Sequence, residues 1–595
     1  MKRTALFVAL LLSAAGLVFL QTTSPRPKLA TLMPSGALLY LEAPDFGRLL
    51  SDWDASKLKT DWLESGNYAV FSRSNLFTKL QELYGQYGAA AGLLPGLKSV
   101  IEIAGTDSAL ALYQIRNVEF LYVSRLAEAD LAKTELWRVR DKFEQRQAGG
   151  VSFYLRMDPV SKRTVAFAFE KGYLLLATRD DLVAQALELL AGGSQPSTAS
   201  DRWYRESTAR ALAHPVELRL VMNLESLVKS DYFRSYWIQR NASTVRRYWA
   251  GVADVDRAGD TVTESRVLLR APDTAEPIAA DSGSNAVPSL LALVPPEAGL
   301  YKASRAVDSS EVAALVLQKL IGPQPQRTGD WRDAPMAVSP DSRAGGEGDL
   351  ETRIDEQPLP ADAGIADSMA VIRAMIGKTG CRATLLVQST ALSSAAFVTM
   401  PSVIVLDGAG EWDRDAVRDS LAAAAGELWT TSQLGAEWIS GTAGRHPIEH
   451  LDGLGTLIFA KSGRLLFLAN DSRLLASVLD RLAQKAPPGD LDYAAGFRHA
   501  KERANYDRVM TALDFSLSNH ADGAPTFFSG NIGSLSRVLS EVAEARVTEE
   551  ERGNATLQTV VYQIQWRTLE RAAANFSSPS RVREALQDGA QTADK

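Results

Sequence analysis

The sequence predicts an α+β protein of two tandem similar units, each an antiparallel-rich β-sheet with packed helices. Three observations carry that expectation. Val165-Ala-Phe-Ala-Phe-Glu-Lys-Gly172-Tyr-Leu-Leu-Leu-Ala recurs as Thr456-Leu-Ile-Phe-Ala-Lys-Ser-Gly463-Arg-Leu-Leu-Phe-Leu-Ala. Both stretches read as an apolar strand, a Gly turn, a second apolar strand and then an amphipathic helix. Leu32-Met-Pro34 leads to Tyr40 much as Leu293-Val-Pro295 leads to Tyr301, 261 residues later. Long hairpins, Val252 to Arg270 and Val542 to Trp566, close the two stretches, turning at Gly259 and Gly553. Glycine suits both turns because it takes positive φ without strain.

The elements between follow one order. Proline at the start of the opening strand is tolerated because no ladder donor is needed there. Asp45 to Trp53 has helical spacing, with Asp45 as candidate N-cap. Asn117 to Val123 reads as a strand, followed by helical spacing from Ala127 to Phe143. Their counterparts are Ser402 to Leu406 and Asp413 to Trp429. Val216 to Glu225 is matched with Arg508 to Asp514. Alternation in Thr261 to Leu269 and Leu557 to Trp566 predicts sheets with one wetter face.

The boundaries follow from composition. Residues 1–28 form a signal peptide or N-terminal membrane anchor, because Lys2-Arg3 precedes an uncharged apolar run from Thr4 to Leu20. The first unit spans 29–270 and the second 290–566, joined by a linker at 271–289 that lacks periodicity. A polar insertion at about 323–363 explains why the copy offset grows to roughly 290 by the central hairpin. Residues 567–595 form a polar tail. Length alone would suggest about four domains. The duplication reduces this to two large units, each able to bury its own core.

A net charge of −7 gives the chain no global electrostatic reason to approach phosphate backbones, so no nucleic-acid partner is expected. The lone Cys381 cannot form an internal disulfide and reads as a small hydrophobe on a strand. The setting is therefore exported, in the periplasm or at the inner membrane facing it. The Pro-led apolar strand, the Leu49-Leu50-x-x-Trp53 helix and the hairpin-plus-helix element resemble a family of bacterial exported proteins classed as a domain of unknown function. The resemblance implies an extracytoplasmic location and assigns no catalytic residue.

His446-Pro-Ile-Glu449-His450 is the sharpest chemical candidate. It is similar to the His-x-x-Glu-His motif of inverted zinc proteases, where two histidines one helical turn apart bind zinc and the glutamate is the base. That chemistry needs a helix, whereas the segment aligns with Gly150 to Met157, which reads as a strand. Residues four apart on a strand lie about 13 Å from one another, too far to share an ion. Pro447 and Gly453-Leu-Gly455 also confine any helix to two turns. Those proteases carry the motif near the start of their first half, whereas here it falls in the second. Glu541 and Glu544 are the available third ligands.

Gly377-Lys-Thr lacks the remaining glycine of a phosphate loop and precedes a strand. Asp254-x-Asp256 starts like a calcium loop, but Ala258 and Ser265 stand where ligands are required, so a plain turn is expected. His214, His499 and His520 are scattered and make no triad with Cys381. Aromatic and arginine side chains interleave over 231–250. Tyr232, Tyr236, Trp237, Arg240, Arg247 and Trp249 therefore form the expected partner contact region. The functional expectation is a non-catalytic binding or scaffold protein of the cell envelope, without a cofactor and with an envelope protein or ligand as partner. The alternative is a zinc-dependent hydrolase using His446, Glu449 and His450.

Overall fold

In a computed structural model, residues 28–564 are described, apart from 74, 94–95, 213–214, 216, 230–246, 272–285, 307, 323–362, 390–399, 430–436, 453–455 and 503–541. Residues 1–27 of the expected signal or anchor, 323–362 of the polar insertion, 272–285 of the linker and the whole expected tail thus lie outside the described residues. The chain forms an α+β fold with extensive antiparallel pairing. It divides into two compact units. One comprises Met1–Asp52, Lys79–Trp237 and Tyr248–Asp254, and the other Trp53–Thr78, Ile238–Arg247 and Val255–Lys595.

The first stretch runs β1 (Leu39–Ala43), α1 (Phe46–Asp54), α2 (Lys57–Leu63), α3 (Gly66–Phe71), α4 (Asn75–Ala91), α5 (Leu97–Ala104), β2 (Ser108–Gln114) and β3 (Glu119–Arg125). It continues through α6 (Glu128–Leu131), α7 (Glu135–Arg138), β4 (Glu144–Ala148), β5 (Val151–Met157), β6 (Thr164–Glu170), β7 (Tyr173–Ala177), α8 (Asp180–Leu190) and α9 (Arg202–Thr208). Then come β8 (Leu218–Met222), α10 (Leu224–Lys229) and β9 (Tyr248–Ala258). Asp45 caps α1 as expected, accepting a hydrogen bond from the Arg48 amide at 2.9 Å. The single helix expected over 127–143 is instead two short ones. Thr134 Oγ1 accepts from the Trp137 amide and starts a new helix there. Proline 34 precedes β1 rather than opening it, forming an isolated bridge with Ser197.

The second stretch runs β10 (Thr261–Arg270), α11 (Ala286–Leu291), β11 (Leu300–Arg305), α12 (Ser309–Val316), α13 (Ala363–Thr379), β12 (Cys381–Gln388), β13 (Ser402–Gly408), α14 (Arg414–Trp429) and β14 (Glu437–Ala443). It ends with β15 (His446–Asp452), β16 (Thr456–Ser462), β17 (Leu465–Ala469), α15 (Ser472–Leu479), β18 (Tyr493–Arg498), β19 (Val542–Arg552) and β20 (Ala555–Ile564). Helix α11 begins inside the range read as linker.

The antiparallel ladders of the first stretch give the order β8-β1-β2-β3-β7-β6-β5-β4. Those of the second give β18-β11-β12-β13-β17-β16-β15-β14, the same order strand for strand. The register can be walked across. Ala177 and Ala469 end equivalent strands, facing Leu121 and Val403. These pair with Ala111 and Val387, which pair in turn with Tyr40 and Tyr301. The walk ends on the two tyrosines that the sequence pattern matches independently.

One expectation needs correction here. Strand β18, not the segment 508–514, occupies the place of β8, and 508–514 lies outside the described residues. Strand β10 buries only Val267 and Leu269, which share one face, whereas the centre of the sheet is covered on both faces. Strand β13 is buried throughout. Leu386, Ile404, Leu406 and Phe459 pack under α12, α13 and α14, while Leu385, Val405, Ile458 and Phe467 pack under α11 and α15. Apolar residues on both faces read as a continuous run, and a strand covered on both sides is what such a run signifies. Beyond β18 the sheet continues through β19 and β20 to β10, whose pairing with β20 the sequence does not announce.

Candidate functional site

The His446–His450 segment lies on β15, in the strand conformation the copy alignment predicts. Alternation puts Glu449 on one face and His446 and His450 on the other. Glu449 is only 4% exposed. It faces the start of α14, pairing with Arg414, while Arg418 stands 3.8 Å away. On the opposite face, His446 Nε2 is 3.0 Å from Asp480 Oδ1, just beyond α15. That hydrogen bond, helped by Arg445, holds the Asp480 carboxyl below the usual carboxylate range. His450 Nε2 is buried without a hydrogen-bond partner among the described residues. Of the third-ligand candidates, Glu544 is bound to Arg498 at 3.4 Å, and Glu541 lies outside the described residues. Among the described residues no three His, Cys, Asp or Glu side chains are grouped as a metal would need. The strand therefore brings none of the three motif residues to a common point.

A second polar constellation sits in the compact unit built around β1, where the sequence marks Asp254 only as the start of a failed calcium loop. Arg219 on β8 and Asp254 on β9 are 4% and 3% exposed. They form a bidentate pair, Nε to Oδ1 at 2.6 Å and Nη2 to Oδ2 at 2.9 Å. Arg219 also donates to the Leu212 carbonyl at 2.6 Å, and the Leu212 amide donates to Asp254 at 3.3 Å. The pair thus fastens the chain entering β8 to β9. Asp254, read as the start of a failed calcium loop, is a buried anchor on β9, and the expected turn forms at Gly259.

Glu42 stands opposite Arg219 in the β1–β8 ladder. Burial, and then the charge of Asp107, push its carboxyl above the usual range, while Tyr40, Arg219 and Lys28 oppose the shift. Tyr40 is wholly buried, and its hydroxyl makes no hydrogen bond of normal geometry although Glu42 is close enough to raise its pKa further. The Tyr204 ring of α9 meets it edge-on at 5.2 Å. This cluster contains a half-buried carboxyl whose pKa is raised and a sealed ion pair. It presents no nucleophile with an adjoining base.

The expected contact region is largely outside the described residues, Tyr232, Tyr236, Trp237 and Arg240 among them. The backbone carbonyl of Arg247 accepts from the Ala271 amide at 2.8 Å. Trp249 lies on β9, with the Arg202 guanidinium 4.6 Å over its ring. Cys381 begins β12 half-buried, and burial pushes its thiol up to about 12, which keeps it inert. Gly377-Lys-Thr ends α13 and runs into that strand, which leaves no helix N-terminus to face a phosphate.

Neither a known protein family nor a curated protein sequence matches this chain. Among solved structures, crystal form I of TP0453 is similar over 42% of this chain and 81% of that one, at 12% identity and a TM-score of 0.23. Crystal form III is similar over 41% and 80%, at 11% identity and the same TM-score. Scores of that size carry no argument about function.

Proposed function

We propose that this chain is a non-catalytic binding or scaffold protein of the bacterial cell envelope, exported and either periplasmic or tethered to the inner membrane. Membership of the exported family of unknown function belongs to the same proposal. The supporting observation is the fate of Glu449, the one side chain the sequence offers as a catalytic base. It is sealed in a sheet and neutralised by Arg414 and Arg418, so its polar capacity is spent on packing. The apolar run from Thr4 to Leu20 supports export. No helix among the described residues is long and apolar enough to cross a membrane.

We also infer that the two halves arose by duplication, a reading supported by their shared strand order and by the register that links Tyr40 with Tyr301. The partner surface we assign to 231–250. Cell fractionation with N-terminal sequencing tests the location. The expected result is an envelope fraction whose chain either keeps Met1 or begins near residue 28, and a cytoplasmic chain would refute it. A photo-crosslinker at Trp237 tests the surface. Labelling of an envelope component supports it, and no adduct in intact cells removes it.

A further inference from the structure

We propose that β14 is a self-recognition edge through which one chain joins a second copy, strand to strand and antiparallel, with Ser440 on the two-fold axis. Among the described residues its ladder partner is β15 alone. Among the described residues nothing pairs with its other edge, which makes that edge a template for strand addition. Glu437, Ile439, Ser440, Gly441 and Thr442 are exposed, and Ile439, a large apolar residue, is 48% exposed.

The turn fixes which backbone groups point outward. Ala443 and His446 flank a two-residue turn, Gly444-Arg445, with Gly444 at φ 57°. The flanking pair of such a hairpin exchanges backbone hydrogen bonds, and the pattern alternates along the ladder. Trp438, Ser440 and Thr442 therefore turn their N–H and C=O groups to the free edge. A two-fold axis through Ser440 satisfies all three, setting Trp438 against Thr442 of the second copy and Ser440 against its own equivalent.

The side chains agree with that register. Ile439 meets Gly441 of the second copy, a large residue over a small one. Glu437 meets Ala443, and no charge opposes a like charge. Strand β4 holds the equivalent place in the other strand order, and there the same operation fails. Its hairpin turns at Gly149-Gly150, so Gln145 and Gln147 face outward. Pairing both with a second copy would set Arg146 directly against Arg146, a repulsive contact. Arg146 is held in place by Glu144 at 3.1 Å and Asp180 at 3.2 Å. One edge carries a guard and the other carries a complementary pattern. A single short strand covers less than the roughly 800 Å² per partner of a standard interface, so the association is weak and concentration-dependent.

The test uses the full chain in a Cys381→Ser background, which removes the lone native thiol. Ser440→Cys is expected to form a disulfide-linked dimer under mild oxidation, about tenfold faster than Gln145→Cys, which keeps the Arg146 guard, because only the former brings equivalent positions within bonding reach. In sedimentation velocity, Ser440→Lys should weaken self-association of the unmutated background about tenfold or more, since like charges then oppose directly. Circular dichroism confirms that each variant is folded. Equal crosslinking at both positions, or Ser440→Lys leaving association unchanged, would overturn the proposal. Crosslinking of Ser440→Cys only to a different protein would overturn the choice of occupant.

Discussion

Tyr40 and Tyr301 hold the same place in two identical strand orders, yet their surroundings differ. Two residues beyond Tyr40, Glu42 faces Arg219 across the ladder, and a bidentate carboxylate partner lies behind it. Two residues beyond Tyr301, Ala303 faces Ala494, and both alanines are buried among apolar side chains. Across from the tyrosines themselves, Val221 stands in one half and Gly496 in the other. The ring of Tyr301 lies over Gly496, where an added Cβ would come within 2.2 Å of it. The first half places α9, with Tyr204, over its tyrosine. The route from α15 to β18 has no helix in that position. The difference teaches that backbone register and apolar alternation define the scaffold, while polar clusters are local variations that it tolerates.

The largest effect expected from breaking this comparison is at the ion pair. Arg219→Met should cost about 3–5 kcal/mol in urea unfolding by leaving Asp254 buried and uncompensated. The double variant Arg219→Met/Asp254→Leu should recover much of that loss, since the other half holds buried Ala494 where Arg219 stands. A double variant as weak as the single one would break the equivalence. Next, Gly496→Val, which copies the residue of the first half, should cost about 1–3 kcal/mol through overpacking against Tyr301.

The pH dependence is subtler. The folded pKa of Glu42 is raised, so its protonated form is bound more tightly in the folded chain. Its stabilising contribution is fully present below the unfolded carboxyl value and is lost as pH rises through the raised folded one. Glu42→Gln should therefore flatten the stability profile in that acid-to-neutral window, whereas substituting Ala303 should not reshape it. A profile unchanged by Glu42→Gln would contradict the assignment. The smallest effect belongs to the exposed guard, where Arg146→Ala should change stability by no more than about 0.5 kcal/mol.

Apolar spacing made the strand-turn-strand-helix units legible. Val165 to Ala177 and Thr456 to Ala469 form hairpins where the pattern places them. Their glycines, however, do not occupy equivalent turn positions. Lys171 and Gly172 both have positive φ, whereas in the other hairpin Gly463 does and stands where Lys171 does. Matching by glycine thus slips the alignment by one residue, and only the ladder reveals it. The helix break at Thr134 was hidden because residues on both sides keep helical spacing. The Arg219–Asp254 pair was illegible because its partners are distant in sequence, Arg219 looks like an ordinary surface charge, and Asp254 reads as the start of a failed calcium loop. The His446–His450 spelling was legible as letters, but its chemistry depends on a helix that β-pairing with Glu437 to Ala443 replaces.

The measurement that bears most directly on the central claim is zinc binding to the purified chain, set beside His446→Ala/His450→Ala. Substoichiometric zinc in both proteins, with identical titrations, is the expected result. One tightly bound zinc per chain, lost in the double variant, would contradict it and restore a metal-dependent hydrolase.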